Sequence, residues 1–215
     1  MPTTNLKDMR ISYEKDALHE NDCAANPFDQ FKKWFNEALA ADELEANAMA
    51  LATADKQGIP SNRIVLLKEI TANGFVFYTN FDSKKGQDLA ENPNACLLFW
   101  YRTNQRQIRI EGIVEKYDRN LAAAYFHSRP HDSQIGANVS PQSRVIASRQ
   151  FLEDKFDDFS RAYENKEIPM PDNWGGYILI PNSIEFWQGR MSRLHDRIRY
   201  VKTEKGEWQT ERVAP

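Results

Sequence analysis

Two segments of the sequence combine cations with a strand or helix end in a way that suits a bound anion. RIVLLK, residues 63–68, has a cation at each end of an apolar stretch that alternates like a strand. SKK, residues 83–85, places two lysines in the first turn of a helix that Ser83 can cap. Positive charge at a helix N-terminus interacts unfavourably with the helix dipole, so two lysines there are better explained if an anion binds beside them. The alternative to anion binding is, for residues 63–68, that the two cations are ordinary charges at the ends of a buried strand. For residues 83–85, it is that the two lysines are simply solvated.

Two further segments add guanidinium, hydroxyl and imidazole groups. In YFHSRPHDS, residues 125–133, the set Tyr125, Arg129 and Ser133 suits a phosphate, because one arginine can donate to two phosphate oxygens. WQGRMSRLHDRIRY, residues 187–200, holds four arginines and His195. A structural histidine with surface arginines is the alternative for this last segment. Taken together, the four segments are explained most simply by two phosphate sites.

Metal chemistry is not predicted. His127 and His131 stand four residues apart, as some zinc ligands do, but Pro130 interrupts the helix that would align them. The two cysteines, Cys23 and Cys96, match no paired metal spacing. We therefore expect two free thiols in a reducing compartment and a cytoplasmic protein.

Composition restricts the class of protein. The chain has 215 residues and a formal net charge of -3, whereas proteins that coat nucleic acid usually carry a basic excess. Its longest apolar run, ACLLFWY, is far too short to span a bilayer, and the polar N-terminus is not a secretory signal. We expect no nucleic-acid partner and no membrane insertion.

Periodicity predicts strands flanked by helices. A helix should begin after Asn26 and bury Phe28, Phe31, Phe35 and Leu39, and further helices are expected in SKKGQDLAENP, DRNLAAAYFHS and SRQFLEDKFDDFSRAYEN. Strand-like pieces fill residues 48–80, 95–117 and 177–213, with Gly112 as a candidate bulge. These strands lack regular crossover helices, so an antiparallel barrel is favoured over a parallel sheet.

The predicted fold class is mainly β with flanking helices (α+β), organised as an antiparallel barrel. Residues 1–25 show little periodicity and are predicted to form a mobile N-terminal arm. Residues 26–215 contain no repeat or linker and are predicted to form a single domain.

Eight motifs in order carry a resemblance to a known family: RIVLLK, FYTN, YFHSRPHDSQIGA, VSPQS, WGG, EFWQG, RLHDR and RVAP. Over nearly its whole length the chain resembles the pyridoxine (pyridoxamine) 5'-phosphate oxidase family. The resemblance implies a split β-barrel of the FMN-binding type and a homodimer with FMN at the subunit interface. It also implies oxidation of pyridoxine 5'-phosphate or pyridoxamine 5'-phosphate to pyridoxal 5'-phosphate, with hydride transfer to flavin, dioxygen as electron acceptor and hydrogen peroxide as product.

The resemblance also assigns site residues by position. For FMN it implies Arg63, Ile64, Val65, Leu66, Leu67, Lys68, Tyr78, Thr79, Lys84, Lys85, Gln107, Gln142, Ser143, Trp187 and Arg197. For the substrate it implies Arg10, Tyr13, Lys68, Tyr125, Arg129, Ser133, Arg193 and His195, with Arg193 and His195 as the catalytic pair. We expect Arg193 to stabilise oxyanion character and His195 to accept or relay the hydroxyl proton.

The sequence leaves several points open. Lys84 stands where some members of the family have arginine, and the role of Glu45 is undetermined. A flavin- or haem-binding barrel without turnover would have the same fold, because one scaffold hosts several functions. The substrate motifs around Arg129 and His195 argue against it. Substrate preference, flavin affinity, a second product site and the order of the arm are not determined by the sequence.

Overall fold

The computed structural model describes residues 5–9 and 11–215, and within them the chain forms five α-helices and nine β-strands. The helices are α1 (Pro27–Ala40), α2 (Lys84–Glu91), α3 (Arg119–Ser128), α4 (His131–Val139) and α5 (Arg149–Ala162). The strands are β1 (Ala48–Ala54), β2 (Pro60–Leu66), β3 (Glu69–Ile70), β4 (Phe75–Asn80), β5 (Asn94–Tyr101), β6 (Arg106–Lys116), β7 (Trp174–Gln188), β8 (Asp196–Lys202) and β9 (Trp208–Arg212).

The strands form one antiparallel split-barrel sheet in the order β2-β1-β5-β6-β7-β4-β3, with β8 paired to β7 and to β9. Strand β7 pairs with β4 from Trp174 to Leu179 and with β8 from Ser183 to Gln188. The sequence predicts several separate strand-like pieces within residues 177–213, whereas in the structure the first part of this range belongs to one long strand. The prediction of a mainly β fold with flanking helices is confirmed.

The chain divides into two compact units, and the unit boundaries fall within strands β1, β5, β6 and β7. The terminal unit comprises Met1–Met49, Leu97–Glu111 and Asn182–Pro215, and the pocket unit comprises Ala50–Cys96 and Gly112–Pro181. The predicted separation of a mobile arm from a single domain stays a prediction. Met1 to Thr4 and Arg10 lie outside the described residues.

Helix α1 supplies much of the core of the terminal unit. The Asn26 side chain accepts a hydrogen bond from the Phe28 N–H at 2.8 Å, which confirms the predicted cap. The predicted buried face is wrong in its second half, because Leu39 is 52% exposed whereas Trp34 and Ala38 are buried. Trp34 packs edge-on against Phe186, with ring centroids 5.2 Å apart, and this contact fixes the rotation of the helix.

In the pocket unit, helices α3 and α4 meet at Pro130. Helix α3 ends at Ser128 as the proline predicts, but a second helix, α4, begins at His131, where the sequence had suggested only a break. Glycine is needed at position 112, because a Cβ atom there would lie 2.1 Å from the Ile180 carbonyl oxygen. Strand β6 can therefore approach β7 closely at this point.

Candidate functional site

The pocket unit contains a cavity of about 680 Å³, a volume typical of small-molecule sites. Its walls come from β2 and the residues that follow it, from β4, α2, α3 and α4, from the segment after α4 and from the start of β7. Twelve of the residues predicted from the sequence line it: Arg63, Ile64, Val65, Leu66, Lys68, Tyr78, Thr79, Lys85, Tyr125, Arg129, Ser133 and Gln142. The fold therefore brings residues from three of the four segments predicted to bind anions to one cavity.

Lys85, in the first turn of α2, is a buried cation with only 8% of its surface exposed. Its Nζ donates hydrogen bonds to Thr79 Oγ1 at 3.1 Å, Ser83 Oγ at 3.2 Å and Gln142 Oε1 at 3.0 Å. All three acceptors are neutral oxygens. Burial, followed by the positive charge of Arg63, lowers the pKa of Lys85 to about 8. A bound anion would strongly favour the charged form of this buried ammonium.

Arg63 on β2 is the second cation beside Lys85. Its Nη1 donates to the Leu51 carbonyl oxygen at 3.0 Å and to Thr53 Oγ1 at 2.7 Å, and its Nη2 contacts Ser61. The Asp88 carboxylate lies 3.9 Å away. Burial lowers the pKa of Arg63, although the charge of Asp88 opposes that shift. These contacts fix the guanidinium in one orientation at the cavity wall.

Lys84, Leu67 and Ser143 are placed differently from their neighbours in the sequence. The Lys84 ammonium is half exposed and forms an ion pair with Asp88, four residues further along α2. Leu67 is buried in the core, and Ser143 is exposed with a left-handed backbone, φ +70°. None of these three lines the cavity of the pocket unit, so their roles toward FMN stay predictions.

A stack of three aromatic rings forms another wall of the cavity. The ring of Tyr78 is nearly parallel to those of Tyr125 and Trp174, with centroids 4.2 Å and 5.5 Å away and planes inclined by 21° and 8°. The Tyr125 and Trp174 rings are themselves 6.3 Å apart. Burial raises the pKa of Tyr78 to about 12, so its phenol stays protonated at neutral pH. Trp174 is the main cavity residue that the sequence reasoning missed. The motif WGG was its only signal.

Arg129 lies against this stack. Its guanidinium carbon is 4.9 Å from the centre of the Trp174 ring and 5.7 Å from that of Phe126. Within the described part of the chain, its buried Nη1 atom has no hydrogen-bond partner. Burial lowers the pKa of Arg129. Lys68 lies 5.9 Å from the centre of the Tyr125 ring. An unsatisfied buried donor in the same cavity as a second cation is the arrangement expected of an anion site.

The terminal unit holds a separate group of predicted residues around His195. The Tyr13 ring lies 5.8 Å from Trp187 and 5.9 Å from His195, and the His195 and Trp187 rings are 4.6 Å apart. His195 Nδ1 accepts a hydrogen bond from the Arg190 backbone N–H at 3.1 Å. Since Nδ1 is an acceptor, the proton of the neutral imidazole resides on Nε2.

The loop before His195, which contains Ser192 and Arg193, has a strained backbone and places a positive charge near the imidazole. Burial, followed by the charge of Arg193, lowers the pKa of His195, whereas Asp196 opposes the shift. Ser192 and Arg193 both have left-handed backbones, with φ of 56° and 61°. Non-glycine residues rarely adopt this conformation, and two in succession indicate a loop that the surrounding structure holds in place.

Arg197 is held by a buried carboxylate. Glu185, 2% exposed, accepts from Arg197 Nε at 3.2 Å and Nη2 at 2.8 Å, and from Arg109 Nη2 at 3.1 Å. Arg197 Nη1 also donates to the Ala214 carbonyl oxygen at 2.7 Å. Gln107 is half-buried on β6. Arg10 lies outside the described residues, so the structure gives no position for it.

The described residues offer neither a metal site nor a membrane-spanning helix. Across residues 5–9 and 11–215, no three His, Cys, Asp or Glu side chains cluster in a way that could hold a metal ion. No helix in these ranges is both long and apolar enough to cross a membrane. Neither Cys23 nor Cys96 forms a disulfide bond within the described residues.

The sequence also matches a known protein family. The family model described as pyridoxamine 5'-phosphate oxidase matches residues 35–161. A second model, described as the pyridoxine 5'-phosphate oxidase C-terminal dimerisation region, matches residues 174–215. The pyridoxine/pyridoxamine 5'-phosphate oxidase of Trichormus variabilis is 51% identical over 210 residues, which is 98% of each chain.

Two solved structures are also similar. PhzG from Burkholderia lata, in complex with tetrahydrophenazine-1-carboxylic acid, has a TM-score of 0.87 at 29% identity and covers 93% of this chain and 98% of its own. A pyridoxamine 5'-phosphate oxidase-related, FMN-binding protein from Nostoc punctiforme has a TM-score of 0.68 at 18% identity, covering 86% and 97%. The second similarity concerns the fold alone.

Proposed function

The chain belongs to the pyridoxamine 5'-phosphate oxidase family, and we propose that it oxidises pyridoxine 5'-phosphate or pyridoxamine 5'-phosphate to pyridoxal 5'-phosphate with bound FMN. The observation that carries this proposal is the pairing of cations in the cavity. Lys85 and Arg63 form one pair on α2 and β2, and Arg129 and Lys68 form another beside the aromatic stack. Two phosphate-bearing ligands, cofactor and substrate, would use both.

The residues around Lys85 fit the phosphate of FMN. Lys85 is buried among neutral acceptors, and the charge of nearby Arg63 further disfavours its protonated form, so a phosphate would relieve both penalties. We propose that Lys85, Arg63 and the Thr79 hydroxyl hold this phosphate, and that Gln142 binds beside it. FMN, when bound, supplies a hydride acceptor that dioxygen can reoxidise with release of hydrogen peroxide.

The second cation pair is proposed to bind the phosphate of the substrate. Arg129 has an unsatisfied donor, and Tyr125, Ser133 and Lys68 line the same cavity. Holding a phosphate remote from the reacting carbon fixes that carbon in place, and such positioning lowers the barrier without acid–base chemistry. The stack of Tyr78 and Trp174 keeps Tyr125 and Arg129 in their orientations.

His195 is proposed to act as a hydrogen-bond donor. The sequence suggested that it accepts or relays the hydroxyl proton, but its Nδ1 is already bound to the Arg190 N–H. In the neutral ring, Nε2 carries the proton and can donate to the substrate oxygen. Arg193, whose backbone is held in a strained loop, would stabilise negative charge on that oxygen. For the alcohol substrate, the hydroxyl proton would pass to solvent, so neither role requires His195 to become charged.

The family model for residues 174–215 supports a homodimer as the assembled form. A cytoplasmic location stays a prediction from the sequence. The 29% sequence identity with PhzG suggests a tricyclic acid as an alternative substrate, because the structure of PhzG was solved in complex with tetrahydrophenazine-1-carboxylic acid. The presence of a second cation, Lys68, in the same cavity as Arg129 favours a phosphorylated substrate instead, because a phosphate carries about -1.5 to -2 charges at neutral pH whereas a carboxylate carries a single charge.

An anaerobic titration tests the proposal. The purified protein, reconstituted with FMN, is mixed with pyridoxine 5'-phosphate while the visible absorbance of the flavin is followed. We expect bleaching that air reverses, with one pyridoxal 5'-phosphate formed per flavin reduced. Unphosphorylated pyridoxine is the matched control and should bleach far more slowly. A flavoprotein that stays oxidised with both compounds would refute the substrate assignment and favour a flavin carrier.

A further inference from the structure

Arg106, at the start of β6, is a buried cation that joins three segments of the terminal unit. It is 6% exposed, and its Nη2 contacts Asp16 Oδ2 at 2.7 Å. Its Nη1 forms an ion pair with Glu37 of α1, and its Nε donates to Gln188 Oε1 at 2.7 Å. The guanidinium carbon also lies 4.4 Å from the centre of the Trp34 ring. One side chain thus holds residue 16 to α1 and to the end of β7.

Backbone contacts around Asp16 reinforce this attachment. The side-chain oxygen of Gln105 accepts from the N–H groups of Glu14 at 3.0 Å and Lys15 at 3.3 Å. The Leu18 N–H donates to Asp196 Oδ2 at 3.1 Å, and Leu18 is 3% exposed. Residues 14–18 are therefore fixed at both ends and, through Asp16, in the middle. Arg106 contributes the central contact.

Tyr13 immediately precedes this attached segment. Gly189 lets it approach, because a Cβ atom there would come within 2.8 Å of Tyr13 Cβ and Cγ. The ring then lies against Trp187 and His195. The position of Tyr13 thus depends on the segment that follows it, and the ion pair between Asp16 and Arg106 is one of the contacts that hold this segment in place.

We propose that Arg106 is a positioning residue: through Asp16 it holds residues 13–18 in place and so keeps Tyr13 on the rings of Trp187 and His195. Its effect on turnover rests on the function proposed above. Arg106 touches neither cofactor nor substrate in this role. Losing the contact should lower the fraction of molecules with Tyr13 in place, and the apparent affinity for substrate falls by that same fraction.

Asp16→Asn removes the charge on the arm and leaves the contacts of Arg106 with Glu37 and Gln188. Glu14→Gln is the matched control, because it makes the same carboxylate-to-amide change on an exposed neighbour whose backbone N–H still reaches Gln105. Two measurements follow. Hydrogen–deuterium exchange of residues 11–18 is recorded in the FMN-loaded enzyme without substrate, and kcat and KM are recorded for pyridoxine 5'-phosphate.

For Asp16→Asn we expect exchange in residues 11–18 to be about fivefold faster and KM about fivefold higher, with kcat and FMN content within about twofold of wild type. Asp16→Glu, which keeps the carboxylate, should recover most of both effects, and Glu14→Gln should show neither. A merely structural role would instead lower the unfolding temperature without separating KM from kcat.

Two results would overturn the proposal: exchange in residues 11–18 that is unchanged by Asp16→Asn, or faster exchange with an unchanged KM. The exchange measurement does not depend on turnover. If the wild-type enzyme fails to oxidise pyridoxine 5'-phosphate, the proposed function fails, whereas the exchange rates of the same variants still decide whether Arg106 holds the arm.

Discussion

Lys85→Met should weaken FMN binding and, at neutral pH, stabilise the protein without FMN. The drop in the pKa of Lys85 from 10.5 to about 8 corresponds to roughly 3 kcal/mol against its charged form. Methionine removes this penalty but gives up the hydrogen bonds to Thr79, Ser83 and Gln142. The FMN-free variant should therefore be more stable at pH 7, by up to about 3 kcal/mol.

The pH dependence follows from the same group. The unfolded chain holds the Lys85 proton up to about pH 10.5, but the folded FMN-free protein holds it only up to about pH 8. The unfolded state therefore binds more protons between these values, and the contribution of Lys85 to the free energy of unfolding rises with pH across that window. This contribution disappears in Lys85→Met. Denaturant titrations of both proteins at pH 7, 8, 9 and 10 measure the difference.

Flavin binding should respond in the opposite direction. A bound phosphate favours charged Lys85, so the Kd for FMN should rise by about tenfold per pH unit above pH 8. At pH 7, loss of the charged hydrogen bond should raise Kd about 10- to 100-fold. Lys84→Met is the matched comparison, because the half-exposed Lys84 is paired with Asp88, and its effect should stay below about threefold. Quenching of flavin fluorescence reports both constants.

The reasoning would be refuted by a wild-type Kd that is constant from pH 7 to 9.5, or by equal effects of the two lysine variants. A constant Kd would mean that the phosphate does not contact Lys85, and equal effects would mean that burial of Lys85 does not distinguish it from Lys84 in binding FMN. A loss of stability in FMN-free Lys85→Met at pH 7 would show that burial of the charged Lys85 does not destabilise the folded protein.

Three further predictions concern other parts of the protein. Trp174→Leu removes the ring against which Arg129 lies, so KM for pyridoxine 5'-phosphate should rise about tenfold in steady-state assays while FMN is retained, and Trp174→Phe should lose less. Gly112→Ala should lower the free energy of unfolding by about 2 kcal/mol or more in denaturant titrations, because its Cβ would clash with the Ile180 carbonyl; an unchanged midpoint would contradict this. His195→Gln should keep more of kcat than His195→Asn, since the longer amide can place an N–H near the position of Nε2–H; the reverse order would contradict the assigned tautomer.

The sequence was sufficient where a local rule decides the structure. Asn26 and Ser83 cap their helices as predicted, because a side-chain oxygen at that position satisfies an N–H whatever the rest of the chain does. The buried face of α1 could not be settled in this way. Apolar residues at Phe31, Trp34, Phe35, Ala38 and Leu39 allow two overlapping faces, and the choice depends on packing against residues distant in the sequence.

The sequence also could not predict which of two adjacent residues reaches the cavity. Lys84 and Lys85 look equivalent in the sequence, but successive helical residues point about 100° apart, so one reaches the cavity and the other reaches Asp88. Helix α4 was missed because Ile135 is its only fully buried residue, which leaves a weak apolar period. The role of Trp174 beside Arg129 depends on a contact between α3 and β7 that no spacing along the chain predicts.

The strained loop at Ser192 and Arg193 changes how substitutions there must be interpreted. At a left-handed position, asparagine, aspartate and glycine are tolerated, whereas a β-branched residue adds a backbone penalty of its own. Arg193→Val would thus lose activity for two unrelated reasons. Arg193→Asn is the better reference, because it removes the guanidinium with the least change in backbone preference. The activity of any variant at these two positions will reflect how well the new residue tolerates a left-handed backbone as well as the loss of the original side chain. Only variants whose residues tolerate that backbone equally well separate the two effects.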